Sequence, residues 1–128
     1  MTKGLDFTPF DVKWVPCSAR FCLLGQTPGA KGAFKVYQVK KGKLDLIHEW
    51  TKADGFKQCT FKASPLAIRD MAAVGFKGKL DIFDVETGKS KFSVQAHTGM
   101  ANTVDGIGGK GPDYGAPELV TGGSDGCV

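Results

Sequence analysis

The sequence lacks any apolar run long enough to cross a membrane as a helix. Its longest, Phe21–Leu24 and Met71–Val74, hold four residues each, against the roughly twenty that a span requires. Arginine is scarce, with only Arg20 and Arg69, so the net charge of +4 is carried almost wholly by lysine. That mild basicity falls short of a nucleic-acid footprint. Cys17, Cys22, Cys59 and Cys127 form no Cys-x-x-Cys pair, and His48 and His97 are the sole histidines. No ligand set at zinc-site spacing results. Cys22 and Cys59 lie inside apolar segments, where free thiols pack as small hydrophobes. Met1–Asp6 has no apolar stretch of a secretory signal. A cytosolic chain without a disulfide framework is the expectation.

What the sequence has in excess is glycine, 18 in 128 residues, about twice the ~7% of average usage. Sustained helical periodicity is hard to find, whereas short alternating runs bounded by Gly are frequent. The pattern predicts strands at 11–15, 21–24, 33–39, 44–50, 58–61, 71–75, 79–85, 91–95, 103–106 and 118–121. An all-β chain follows.

Shifting the sequence on itself by about 46 residues lays Gly32–Val39 over Gly78–Val85, and Gly42-Lys43 over Gly88-Lys89. A period of roughly 40–50 residues with four short strands per unit is the signature of a β-propeller blade. The units expected are a first blade at 11–50, a second at 51–96 and a truncated third at 97–128, about two and a half four-stranded antiparallel blades. Residues 1–10 are a candidate ring-closing strand, through Leu5–Pro9. A blade buries its faces only against neighbours, so the chain is expected to be part of a larger propeller or to close a ring by self-association.

The third unit carries Ala96-His97 and then Thr121-Gly122-Gly123-Ser124-Asp125-Gly126. This resembles the WD-repeat family, in which Gly-His precedes the first strand, Ser or Thr stands in the second and Asp-Gly makes the next turn. The resemblance implies that His97, Thr121 and Asp125 form a structural hydrogen-bond chain within one blade. The second unit departs from the pattern, with Thr51, Ala73 and Lys77 at those positions and Phe83-Asp84 in place of Trp-Asp. The segments Phe10–Phe21, Asp105–Gly109 and Gly115–Gly122 are similar to the amino-terminal blades of the WD-repeat proteins that assist cytoplasmic assembly of axonemal dyneins. That resemblance implies a seven-bladed adaptor. Its partners would be proteins: a complex of RuvB-like ATPases and prefoldin-like subunits with its RNA-polymerase-associated cofactor, and dynein chains.

Other features invite chemical readings. A buried strand hydroxyl beside His97 and Asp125 lacks the exposure of a catalytic triad. Gly106–Gly111 satisfies G-x-G-x-x-G, but Pro112–Pro117 cannot continue the helix that nucleotide binding needs. Lys35, Lys40, Lys41, Lys43, Lys77, Lys79, Lys89 and Lys91 could line up as a basic rim for polyanions, or simply protect outer strands. Trp50, Tyr114, Lys40, Lys41 and Lys43 are the candidate partner contacts, and Trp14, between Val12 and Val15, is expected in the core. The function expected is a non-catalytic protein scaffold with no cofactor. A propeller that binds nucleic acid or another polyanion through its rim, and a substrate receptor of a ubiquitin ligase, are the alternatives.

Overall fold

Strand formation follows the alternation. In Arg20–Gln26 and Gly32–Lys40, Cys22, Leu24, Phe34 and Val36 point to one side while Phe21, Leu23, Lys35 and Tyr37 point to the other, the period-two pattern of a pleated strand. The computed structural model describes residues 1–128. It contains β1 (Thr8–Trp14), β2 (Arg20–Gln26), β3 (Gly32–Lys40), β4 (Lys43–Lys52), β5 (Phe56–Thr60), β6 (Asp70–Gly75), β7 (Lys79–Asp84), β8 (Ser90–Gln95), β9 (Ala101–Ile107) and β10 (Glu118–Gly123). Each expected strand has its counterpart, most longer by one to three residues at an end. There is no α-helix, only a 3-10 turn at Pro112–Tyr114 with Pro at its start, and no helix is long and apolar enough to cross a membrane.

The strands form two four-stranded antiparallel meanders, β1-β2-β3-β4 and β5-β6-β7-β8, and a hairpin, β9-β10. Thr8 and Pro9 pair with Gln26 and Gly25 inside the first sheet, and β4 runs on to Lys52. The first sheet therefore overruns the 11–50 boundary at both ends, and Thr8 and Pro9 are not a separate closing strand. Phe7, just before them, is buried, and Lys35 reaches over its ring.

Irregularities repeat as faithfully as strands. The first strand of each unit slips register at one residue, Phe10, Lys57 or Asn102. The third-to-fourth strand pairing slips at Ile47 in one sheet and Lys91 in the other. Such bulges sharpen the local twist, and their recurrence gives the units one shape.

The sheets stack face to face. Cys22, Leu24, Phe34 and Val36 of the first meet Cys59, Met71, Ala73 and Phe83 of the second in one buried cluster. At its centre the Phe83 ring stands edge-on to Phe34 at 5.3 Å and packs beside Phe56 at 5.9 Å. The far side of the second sheet, through Ala72, Val74 and Leu80, covers Ala101 and Val104 of the hairpin. The sheets approach each other most closely along β1, β5 and β9, with β2 and β6 next, while β3, β4, β7 and β8 make their main contacts inside their own sheets. The stack is a fan, narrow at the first strands.

Each first strand has a free edge, whose buried N–H groups need acceptors. Asp11 Oδ2 accepts the Cys59 N–H at 2.9 Å, and Gln58 Oε1 accepts the Val104 N–H at 2.6 Å. Both acceptors directly follow their strand's bulge. Asp11→Ala should destabilise the chain by about 1–3 kcal/mol, because it orphans a buried donor, whereas Asp11→Asn, which keeps an oxygen, should lose less. Urea unfolding of the two variants checks the order.

Candidate functional site

His97 follows β8 in the loop that leads to β9. Its own N–H and that of Ala96 both go to the Gly78 carbonyl, each at 3.0 Å. That carbonyl belongs to a turn in which Gly78 holds a positive φ of 77°, available to glycine at little cost. The imidazole is thereby fixed and is only 3% exposed. From β10 and its following turn come Thr121 and Asp125. His97 Nδ1 lies 3.0 Å from Asp125 Oδ1, and His97 Nε2 lies 2.9 Å from Thr121 Oγ1. A carboxylate accepts only, so Nδ1 carries a proton; in the neutral ring Nε2 then accepts the Thr121 hydroxyl.

The Asp125 carboxylate also accepts N–H groups from Thr98 and Cys127, each at 3.1 Å. Desolvation pushes its pKa up, yet those N–H donors and His97 together outweigh it and hold the carboxyl below its ordinary value. A Cβ at Gly123 would collide with the His97 ring and the Asp125 carboxylate, so the glycine lets the ring in. This arrangement locks the β8–β9 loop to the β10 turn. Both ring nitrogens of the buried His97 are engaged within it, and Thr121 and Asp125 are half-buried beside the ring.

The second unit keeps no such chain, and its Phe83-Asp84 pair does other work. Phe83 fills the inter-sheet core, and Asp84 Oδ1 accepts the N–H groups of Glu86 and Thr87 at 2.7 and 3.0 Å, shaping the turn to β8.

The aromatic expectations are corrected in opposite directions. Trp50 is half-buried at the seam between the two sheets, stacked on His48 at 6.0 Å and in contact distance of Gly88. Its apolar body fills the gap beside the turn that Gly88 closes. Trp14 is 63% exposed. It sits in register with Phe21 and Tyr37, forming a row of rings across β1, β2 and β3. Its counterpart in the second unit, Phe61, is 7% exposed because a neighbouring sheet covers it. The face that bears Trp14 has no neighbouring sheet in this chain.

Tyr114 is 64% exposed on the β9–β10 loop. The glycines Gly108 and Gly109 there, with φ of 78° and 69°, fold the loop back so that the Gly109 N–H meets the Gly115 carbonyl at 3.0 Å. The amide is spent inside the loop, not offered to a phosphate.

The lysines do not make one stripe. Lys77 and Lys79 face Asp54 at 3.0 and 3.8 Å, at the opposite strand end from Lys40, Lys41 and Lys43. Lys35 bonds Asp6 and Glu49, and Lys91 bonds Asp70. The pairing with Asp6 raises the Lys35 pKa despite some desolvation. Lys40, Lys41 and Lys43 are exposed on the β3–β4 turn.

Sequence reading passed over two groups. The Asp11 and Gln58 acceptors were visible only as a polar residue before an apolar one at matching places in successive units. The other is Glu86, which bonds Arg20 Nη1 at 3.0 Å and His48 Nε2 at 2.8 Å across the seam; no local pattern marks such a clasp.

Fold and site together define an all-β protein of repeated antiparallel sheets, tied by side-chain to backbone bonds between units. No protein-family model matches the chain. It is 42% identical, over 127 residues and 98% of its length, to the proteins named dynein axonemal assembly factor 10 of Homo sapiens, Bos taurus and Chlamydomonas reinhardtii. It spans about a third of those relatives, 36% of each.

Because its folded-state pKa is lowered, Asp125 contributes stability that is present above its ordinary value of 3.8 and is lost as pH falls through the lowered one. Asp125→Ala should melt at a lower temperature than the parent near neutral pH. The gap should close in acid, and thermal melts by circular dichroism across that range measure it.

Proposed function

We propose that the chain is a stretch of WD-repeat blades in a β-propeller that acts as a non-catalytic scaffold in the assembly of axonemal dyneins in the cytoplasm. The observation that carries this reading is the 42% identity over 98% of the chain to dynein axonemal assembly factor 10 from a green alga and from mammals alike. The repeated four-stranded sheets, their matching bulges and the fan narrowing at β1, β5 and β9 support the propeller part. So does the row Trp14, Phe21 and Tyr37, a sheet face equivalent to the buried one around Phe61, Met71 and Phe83.

The mechanism is rigid display. Stacked sheets fix the loops at either end, and loops on a rigid frame hold the geometry a partner recognises. The one His-Asp pair of the third unit is consumed in that frame, which fits a scaffold better than a catalyst. Partners on this reading are dynein chains and a chaperone complex with RuvB-like ATPases, prefoldin-like subunits and the RNA-polymerase-associated cofactor.

Deleting the gene in a ciliated cell should leave axonemes with normal microtubules and depleted dynein arms, while dynein chains in the cytoplasm fail to reach their assembled size on sucrose gradients. Axonemes with a full dynein complement would overturn the proposal.

A further inference from the structure

The turn Lys40-Lys41-Gly42-Lys43 is built against its own stability. Lys40 and Lys43 are direct cross-strand partners, a placement that sets two like charges side by side. Between them Lys41 and Gly42 hold φ of 49° and 74°. Two positive φ values suit the tight hairpin twist, but the left-handed region is disfavoured for a residue with a Cβ. Asn or Gly would meet the demand at Lys41 with less strain.

Nor are these three charges compensated. Lys13, Lys35, Lys62, Lys77, Lys79 and Lys91 each have a carboxylate within ion-pair distance. Lys3, Lys52 and Lys57 lie over aromatic rings. Lys40, Lys41 and Lys43 have neither; Lys31, Lys89 and Lys110 lack them too but stand singly in the sequence, whereas these three share one turn, and Asp45, on the same hairpin, stands opposite Gln38 and pairs with none of them. Strain at a defined backbone position together with uncompensated like charge marks a surface whose costs are offset by something that binds it.

We propose that the β3–β4 turn is a docking point for an acidic segment of a partner protein, with Lys40, Lys41 and Lys43 as its contacts. This rests on the scaffold reading for its biological sense and names the class of partner for that site. The footprint is a peptide's. It is a few lysines on one turn, with no arginine fork and no exposed ring beside them for a base to stack on, whereas nucleic-acid surfaces combine broad positive grooves with stacking.

The test is fluorescence anisotropy of a labelled peptide rich in Asp and Glu, with the purified full chain. The parent should bind it with an affinity that falls as salt rises. The triple change Lys40→Ser, Lys41→Ser and Lys43→Ser should weaken binding by about tenfold or more, an ordinary yield for losing several charge contacts. Lys77→Ser with Lys79→Ser should leave it unchanged. Lys41→Gly should raise the melting temperature while weakening binding less than the triple change, which shows that folding and binding respond separately. Equal binding by the triple variant, or an equal loss in the Lys77 and Lys79 control, overturns the proposal. Tighter binding of an oligonucleotide of the same charge, in competition with the peptide, also overturns it. None of these outcomes bears on dynein content of axonemes, so failure here and failure of the scaffold reading are separate events.

Discussion

The structure depends on satisfying the free edge of each first strand. Stacking sheets with their first strands close together buries one edge of β5 and of β9, and a buried N–H without an acceptor costs more than an average hydrogen bond contributes. Backbone cannot supply the acceptor, because the neighbouring first strand belongs to another sheet. A side chain must reach across, and Asp11 and Gln58 do so at equivalent points, to Cys59 and Val104. The bulge just before each acceptor re-aims the strand, and its recurrence at Phe10 and Lys57 makes the reach possible twice. The bond sets the spacing of the sheets at their narrow end, and the apolar faces fill what that spacing leaves.

Farther from the narrow end, different chemistry holds the same seam. The aromatic centre of Phe34, Phe56 and Phe83 supplies packing, and Cys22 meets Met71 at 3.7 Å beside it. The Cys59 thiol, next to Cys22 and fully buried, has its pKa driven far up by that neighbour and by desolvation, so it stays an inert thiol packing as a small apolar group. Toward the rim, Glu86 bridges Arg20 and His48, with Trp50 filling the space beneath. Exposed ion pairs of this kind contribute little each. Their value here is in fixing how one sheet is turned against the next.

Strand existence was legible because alternation, glycine-bounded turns and the repeat all pointed the same way. The His97, Thr121 and Asp125 positions were legible through resemblance, since their residue types and order survive in the third unit. The exposures of Trp14 and Trp50 were not. Periodicity says which residues share a face; it does not say whether another sheet lies over that face. Trp14 has the same strand position as buried Phe61, and its sequence neighbours Val12 and Val15 gave no sign that its face is open. Trp50 lies near the end of an outer strand, where a local reading expects solvent, but it packs against the Gly88 turn of the next sheet. The long-range ties, Asp11 to Cys59 and Glu86 to Arg20, join residues too far apart in sequence for any local pattern to mark.

Comparison of equivalent positions separates residues kept for packing from those kept for something else. Phe21 and Tyr37 of the first sheet correspond to Met71 and Phe83 of the second. One pair is partly covered by the amino-terminal residues, with Lys3 over the Tyr37 ring, and the other by a whole sheet. Apolar identity persists at both, as expected where each sheet presents the same two faces to its neighbours. At the turn that follows, the equivalence breaks. Asp84 and Glu86 of the second sheet answer to Gln38 and Lys40 of the first, so an acidic turn engaged with its neighbour corresponds to a basic turn engaged with nothing. The packing positions repeat because stacking demands it, and the turn positions diverge because stacking leaves them free. Specific recognition in a repeat protein is therefore to be sought where equivalent residues differ in charge on a surface the stack does not use.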